Sequence, residues 1–466
     1  MLIVLKDAPS MTCYPEAFSL QINSMREKES LHPYFIPAPL ETPHDLQQVS
    51  AADLTGFMHA FRRPAIGYGK GAKEWQRRAI KAWHAAARAW ENWQFPQAEK
   101  VLAQLEKNTR MSPPVLRESI ANHFRVITAG EMGAWLDEIR EARAGDPGRK
   151  PYPPLAFVIA SGNIPGAALQ HLVQLSLLGI PALVKSASAE PHLIPAILVT
   201  LAQQDAEIAS RLLALIWPRE NKEATAAVLA LQPKVIALGD DDTMQRLQAQ
   251  TGRALMPFGD RFSAAIIHAH TAKVQTLHKL AYDYVMFDGK GCLSPQVVMV
   301  IAGHWREVEQ LAVHFAGVLA EENQKWPAGN WSIAEKSLIQ QWRGEWQARR
   351  AVGEKITLFQ PEDTSWTVVA AEEFDLEQRV AFRTVRLLWM KSFDEVMLVL
   401  KNYSTKIQAL AVEIQDLEYA QLALDLDEQE EVLGRLICAP GELQRPIFAW
   451  MAANRQWFEL TYGMRL

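Results

Sequence analysis

Trp75, Trp83, Trp90 and Trp93 recur at helical spacing in a stretch otherwise rich in Ala, Gln, Glu, Lys and Arg. The pattern predicts a helix over 72–107 with an aromatic stripe on one face. The stripe reads as a docking face for the main body; part of an acyl pocket or a subunit contact is the other reading. A further helix is predicted over 114–143, ended by Gly145, Pro147 and Gly148. Residues 1–70 have no clear period, and Pro33, Pro37, Pro39 and Pro43 predict extended, surface-wrapping chain.

Beyond residue 150 short apolar runs alternate with helical patterns. Strands are predicted at Leu155–Ala160, Pro181–Lys185, Lys234–Leu238 and Ser263–His268. Helices are predicted at Ala167–Leu178, Pro191–Gln204, Ala206–Leu215 and Asp242–Thr251. The theme recurs with strand Gln296–Ile301, helix Trp305–Glu322, strand Val385–Met390, helix Phe393–Lys401 and strand Ile407–Glu413. Strands alternating with helices of this length predict parallel sheets in two α/β domains.

From Pro151 to Val184 there is no Asp, Glu, Lys or Arg, which is long enough for a membrane span. Eight Pro, Gly and Asn positions break it, so a strand, a helix and a second strand buried in a parallel sheet account for it better. The run Met-Leu-Ile-Val-Leu meets Lys6 and Asp7 at once and is too short for a signal peptide.

Composition sharpens this picture little. At 466 residues, 49% apolar and 22% charged, the chain is globular and long enough to bury a large core. A net charge of -5 gives no electrostatic footprint for nucleic acid. Three cysteines, Cys13, Cys292 and Cys438, make neither a disulfide framework nor a zinc site, which predicts a reduced, cytoplasmic protein. The twelve histidines form no close metal pair, so no metal is expected.

No Gly-x-Gly-x-x-Gly follows the first strand and no Walker lysine motif is present. Three dispersed segments carry the candidate chemistry. In Asp288-Gly289-Lys290-Gly291-Cys292-Leu293-Ser294-Pro295, glycines around a cysteine let backbone approach a substrate. A nucleophilic thiol needs a lowered pKa, which Lys290 or nearby backbone N–H groups would supply; an inert buried cysteine is the other reading. Ser161-Gly162-Asn163-Ile164-Pro165-Gly166 ends the first strand, where ligands of open α/β sheets bind. Asn163 there is an oxyanion donor or part of a turn. Lys185, at the end of the second strand, binds ribose or phosphate, or is simply solvated.

In order, these segments resemble the aldehyde dehydrogenase superfamily, and more closely its acyl-CoA (acyl-protein thioester) reductase branch, the LuxC-type long-chain fatty acid reductases. The resemblance spans roughly 150–450, sharpest in Gly-Cys-Leu-Ser-Pro-Gln at 291–296 and Gly-Asn-Ile-Pro-Gly at 162–166. It implies an aldehyde dehydrogenase-like α/β fold of two parallel-sheet domains, an oligomerisation element and a helical N-terminal region. The implied division is 1–256 with the NADP-binding domain, 257–431 catalytic, and 432–466 returning to the cofactor domain or oligomerisation element.

The resemblance also implies roles. Cys292 matches the catalytic nucleophile and Asn163 the oxyanion donor. Lys185 matches the lysine on the adenosine ribose, and Ser161 and Gly239 fall in the cofactor-binding loops. Ser188 stands where NAD-preferring relatives carry a Glu on the ribose 2'-hydroxyl. Loss of that carboxylate removes repulsion against a 2'-phosphate, so NADPH is the cofactor expected.

Departures from the family pattern are informative. Asp240, with Asp241 and Asp242 behind it, replaces a Ser near the cofactor; helix capping is the plain role for these aspartates. Pro257 replaces the Glu that activates water in aldehyde-oxidising members, which favours thioester reduction. Val380 opens Val380-Ala381-Phe382-Arg383-Thr384-Val385 where dehydrogenases carry Glu-Ile-Phe-Gly-Pro-Val, and Glu377 is the nearest acidic substitute.

The implied reaction is NADPH-dependent reduction of a fatty acyl thioester to aldehyde through acyl-Cys292. The implied partners are acyl-CoA or an acyl-carrier or acyl-transferase protein, in a homo-oligomer with no nucleic acid and no membrane span. An acyltransferase or thioesterase using Cys292 without hydride transfer, and a non-catalytic scaffold with the same fold, remain the alternatives. Cys438 reads as structural and Cys13 as incidental.

Overall fold

The computed structural model describes residues 65–66, 71–144, 152–218, 220–380, 382–428, 436–446 and 448. The expectation for 1–70, including Cys13, therefore lies outside the described residues apart from Ala65 and Ile66. The described chain divides into two compact units, one of residues up to 109 with 123–259, the other of 110–122 with residues from 260 onward.

The first unit opens with α1 (Ala72–Glu91) and α2 (Ala98–Thr109). The predicted single helix over 72–107 is thus two, because Trp93 and Gln97 adopt positive φ and Pro96 cannot continue a helix. α3 (Pro113–Arg125) straddles the division, and α4 (Ala129–Ala144) follows. The tryptophan stripe docks. Trp83 and Trp90 have no solvent exposure, Trp75 Nε1 donates to the Ser176 carbonyl at 2.8 Å, and Trp90 Nε1 donates to Thr200 Oγ1 at 3.1 Å. Trp90 also stacks on Phe95 and Phe124, with centroids 3.8 and 5.3 Å away.

The sheet of this unit comprises β1 (Ala156–Ile159), β2 (Ala182–Lys185), β3 (Leu212–Leu215), β4 (Lys234–Leu238) and β5 (Leu255–Phe258). Between them run α5 (Leu169–Leu177), α6 (Leu193–Gln204), the short α7 (Ala206–Ala209), α8 (Lys222–Leu229) and α9 (Asp241–Thr251). The uncharged stretch becomes β1, α5 and β2; every residue of α5 is buried. No helix among the described residues is long and apolar enough to cross a membrane. The helix predicted over Ala206–Leu215 is corrected: it stops at Ala209, and Leu212–Leu215 is a fully buried strand. A short continuous apolar run has no period to distinguish the two.

All five strands are parallel, in the order β3-β2-β1-β4-β5. The chain winds outward from β1 through β2 to β3, then returns to lay β4 on the other side of β1. The loops after β1 and β4 therefore flank a topological switch point, where α/β sheets bind ligands.

The second unit contains β6 (Phe262–His268), α10 (Val274–Val285), β7 (Pro295–Ile301), α11 (Trp305–Lys325), α12 (Ile333–Ala351), β8 (Ile356–Phe359) and β9 (Thr367–Ala371). It continues with β10 (Thr384–Met390), α13 (Phe393–Asn402), β11 (Ile407–Glu413), α14 (Asp416–Glu428) and β12 (Leu436–Cys438). The order is β12-β11-β6-β7-β10-β9-β8, parallel except for β8, which runs antiparallel to β9. The sheet is thus mixed at one edge rather than wholly parallel.

Strand periodicity builds two cores around it. Val298 and Val300 of β7 pack with Leu280 and Tyr284 of α10 and Phe315 and Leu319 of α11. Val297 and Met299, one residue out of phase, pack with Val396 and Leu400 of α13 and Leu422 of α14. Because β6, β7, β10 and β11 are parallel, the segments entering them share one edge. The Cys292 loop, which enters β7, lies there.

The aromatic docking of α1 yields a direct expectation. Trp90→Ala should destabilise the protein by about 3–5 kcal/mol, read as the shift in urea unfolding midpoint; a shift below about 1 kcal/mol would show that the stripe does not anchor the helix.

Candidate active site

In the second unit the chain leaves α10 through a tight turn in which Phe287, Asp288 and Gly289 have φ of 50°, 54° and 69°. Gly289 is required at its place: a Cβ would stand 3.2 Å from the Arg383 nitrogen and 3.3 Å from the Tyr284 oxygen. Phe287 N–H donates to Ser119 Oγ of α3 at 3.0 Å. Asp288 and Arg383 side chains have no solvent exposure and form an ion pair at 2.7 Å. Arg383 Nε also donates to Asp288 Oδ1 at 2.9 Å, while its Nη atoms reach Asn323 Oδ1 at 2.7 Å and the Pro327 carbonyl at 3.1 Å. Arg383 itself has φ 56°. It occupies the glycine of the family pattern, keeps the backbone shape that favours glycine, and uses its side chain to hold the turn before Cys292.

Cys292 is exposed at the amino edge of the sheet. Its carbonyl accepts from Ser263 Oγ, at the start of β6, at 2.9 Å and from Gln408 Nε2, at the start of β11, at 2.7 Å. Although the residue reaches the surface, protein atoms crowding the sulfur push the thiol pKa above its ordinary value. Hydrogen bonds from Gln408 and the Cys292 and Leu293 N–H groups, and the charge of Arg379, oppose that rise without reversing it.

The expectation that Lys290 supplies the nearby cation is corrected. Its Nζ pairs with Glu335 Oε1 at 3.0 Å and lies over the Phe382 ring. Glu335 is fixed in turn by the capping box with Ser332 that opens α12. The cation felt by the thiol is Arg379, itself paired with Asp260 at 2.7 Å. Val380 is buried, and Glu377 is directed to Lys406 at 3.8 Å.

In the first unit, Ser161, Asn163, Lys185, Ser188 and Gly239 all fall on the carboxyl edge of the five-stranded sheet, Lys185 as the last residue of β2 and the others in the loops after β1, β2 and β4. Ser161 Oγ donates to Asn163 Oδ1, so the Nδ2 end is the donor side of that amide. Gly166, at φ 82°, would place a Cβ 3.3 Å from His123 Cδ2. His123 bonds the Pro165 backbone, and burial pushes its pKa down to about 4. The loop after β2 lies against that after β1: a Cβ on Gly162 would meet those of Ala187 and Ala189 at 3.4 and 3.5 Å.

Lys185 Nζ stands 5.6 Å from the Trp217 ring centroid, and Ser188 is exposed. Glu190, the carboxylate of that turn, is buried. It accepts from the His192 and Leu193 N–H groups at 2.8 and 3.0 Å, capping α6, and burial pushes it up to about 7. Asp240 caps α9 by accepting from Thr243 N–H at 2.7 Å, the plain role expected. A Cβ on Gly259 would stand 2.7 Å from Asp241 Oδ1, so the absence of a side chain there lets that carboxylate settle.

Pro257 lies in β5, an edge strand, where a residue without an N–H is tolerated. Cys438, in β12, is partly buried with Sγ donating to the Leu410 carbonyl, and burial raises its thiol pKa strongly; it is an inert thiol at neutral pH. Among the described residues no group of three His, Cys, Asp or Glu is placed to hold a metal.

Sequence reasoning did not find Ser263, Gln408, Arg379 or His123. Only Arg383 left a signal, a charge where the family block carries glycine. The others act across sheet neighbours or loops that spacing alone does not pair.

A model of the acyl-CoA reductase (LuxC) family matches residues 77–444. No curated protein matches the chain. Similar solved structures include a succinic semialdehyde dehydrogenase from Streptococcus pyogenes in complex with NADP+ (12% identity, 88% of this chain and 90% of that one, TM-score 0.59). An aldehyde dehydrogenase from Brucella melitensis biovar abortus is 13% identical over 86% of this chain and 84% of that one, with a TM-score of 0.58. An indole-3-acetaldehyde dehydrogenase from P. syringae, in complex with NAD+, is 15% identical over 86% and 84%, with a TM-score of 0.58. The fold is aldehyde dehydrogenase-like.

Two expectations follow from these contacts. Asp288→Ala leaves a buried guanidinium unpaired and should cost about 3–5 kcal/mol in denaturant unfolding; a neutral result would remove the pair from its anchoring role. His123 is neutral in the fold at pH values where the unfolded chain already binds a proton. Its contribution is complete above about pH 6.5 and is lost as pH falls toward 4. Buried His171, pushed down to about 3, acts in the same sense, whereas Glu190 acts in the opposite one. The stability lost between pH 7.5 and 4.5 should therefore be smaller in His123→Asn than in wild type, and equal losses would contradict this.

Proposed function

The chain belongs to the acyl-CoA reductase (LuxC) family and is an oxidoreductase, and from that premise we propose that it reduces a fatty acyl thioester to the aldehyde with NADPH, through acyl-Cys292. The observation that carries the reading is Cys292 itself: an exposed cysteine in the family block whose carbonyl is held by two side chains from neighbouring strands.

The Cys292 sulfur attacks the thioester carbonyl carbon, forming the new S–C bond as the carbonyl oxygen takes the negative charge. The Cys292 N–H and, by its place in the family motif, the Asn163 amide donate to that oxygen. When the tetrahedral centre collapses, the donor's S–C bond breaks and its thiolate takes up the proton released by Cys292. Pro257 offers no base to activate water, which protects the acyl-enzyme from hydrolysis. NADPH, when bound, supplies the hydride that reduces the acyl carbon. Cys292 then leaves the resulting thiohemiacetal as its oxygen's negative charge collapses to the aldehyde carbonyl, and the Cys292 thiolate takes a proton from solvent.

The residues on the carboxyl edge of the first unit fit this cofactor. Lys185 suits ribose. The exposed Ser188 hydroxyl brings no charge against a 2'-phosphate, and the nearby Glu190 is committed to capping α6. Asp240 is likewise committed to α9. The acyl donor is acyl-CoA or an acyl-protein, the enzyme acts as a homo-oligomer, and the setting is cytoplasmic.

The test is NADPH oxidation across acyl-CoA lengths, with Cys292→Ala and Ser188→Glu alongside. Wild type should consume NADPH and Cys292→Ala should not. Ser188→Glu should lower kcat/KM for NADPH by about ten-fold, the equivalent of about 1.4 kcal/mol, and lower that for NADH less. Acyl exchange or hydrolysis without NADPH loss would favour a transferase or thioesterase; no acylation of Cys292 would favour a scaffold.

A further inference from the structure

The Cys292 peptide is held by neutral side chains, while the charged side chains around it are paired with one another. Arg379, on the segment before β10, is held by Asp260, on the segment before β6. Lys290, two residues before the cysteine, is held by Glu335 of α12. Arg383 and Asp288 pair with each other in the interior. Lys406, two residues before Gln408, lies 3.8 Å from Glu377.

Gln408 belongs to none of these pairs. Its Nε2 donates to the Cys292 carbonyl at 2.7 Å, and the same amide is the largest influence that opposes the burial-driven rise of the Cys292 thiol pKa. A primary amide nitrogen carries two N–H groups, so one Gln408 nitrogen can serve both atoms of one residue. Ser263 Oγ, at 2.9 Å, takes the other lone pair of that carbonyl. Both donors come from the second residues of strands, β11 and β6: Ser263 is paired with Ala409 in the parallel ladder, and Gln408 is the extra residue of a bulge between Ile407 and Ala409, which turns its side chain out of the regular alternation.

We propose that Gln408 is a positioning residue for the nucleophile, fixing the Cys292 peptide and supporting negative charge on the sulfur through the same amide. The inference rests on the reading of Cys292 as the nucleophile. Its logic is that of a neutral donor. Burial holds the resting sulfur protonated, which spares it from oxidation and stray alkylation. The donor is already aimed where charge gathers as the proton leaves, so little reorganisation is needed then.

The test follows alkylation of Cys292 by iodoacetamide against pH in the full chain, read by mass spectrometry of the Cys292 peptide. Gln408→Met keeps the length and removes the donor. It should move the midpoint upward by about one pH unit and slow alkylation at neutral pH about ten-fold. Ser263→Ala, which loses only a carbonyl donor, should move the midpoint less.

An unchanged midpoint in Gln408→Met, or equal shifts in the two variants, would overturn the proposal. Should Gln408→Met fail to fold by circular dichroism, Gln408→Leu decides. It removes the donor without adding charge, so an upward shift supports the proposal and an unchanged or lowered midpoint overturns it. Alkylation needs neither thioester nor NADPH. Failure here would leave reductase turnover untouched, and absence of turnover would leave the midpoints standing.

Discussion

Arg383 and Asp288 sit without solvent exposure beneath the turn that delivers Cys292 to the sheet edge, and the site of the second unit depends on their pairing. Burial disfavours the charged guanidinium, and Asp288 offsets part of that penalty. The Arg383 backbone N–H reaches the Asp288 carbonyl at 3.3 Å, and the Arg383 carbonyl accepts from Thr367 N–H at 3.2 Å, the first residue of β9. Four residues with positive φ, Phe287, Asp288, Phe382 and Arg383, are held in this knot. Such conformations cost of order 1–3 kcal/mol each and persist where surroundings over-determine them. The strain has a use, because it brings two segments distant in sequence to one point and aims the cysteine loop outward.

The carboxyl edge of the first unit is fixed by other means. There the parallel order places the loops after β1 and β4 side by side at the switch point. Buried neutral groups then shape them: His123 under Pro165 and Gly166, and Glu190 at the start of α6. The charge of Asp240 is taken up in capping α9. The edge therefore offers hydroxyls, amides and Lys185, with Glu190 and Asp240 committed to backbone donors.

Much of this was legible in the sequence, for identifiable reasons. β1, β2, β4, β6, β7, β10 and β11 are long or strongly apolar, and their turns carry the Gly, Asn and Pro that announce them. Leu212–Leu215 was hidden because an unbroken apolar run fits helix and strand alike. β5 was hidden by Pro257, which an edge strand tolerates. Asn163 and Cys292 stand out as candidates because their motifs are local. Gln408 and Ser263 were not: they lie 116 and 29 residues from Cys292, and only strand order brings the starts of β11, β6 and β7 together. Lys290 misled for the same reason, since neighbourhood in sequence suggested a contact that Glu335 takes instead.

In the proposed chemistry Cys292 carries the acyl group between thioester and aldehyde. A two-step single turnover tests this: acyl-CoA alone, then NADPH, followed by intact mass and aldehyde release. A mass gain of one acyl group on Cys292 is expected, persisting in buffer and disappearing, with stoichiometric aldehyde, when NADPH is added. An enzyme that forms aldehyde with no acyl adduct, or forms it equally well as Cys292→Ala, would contradict it.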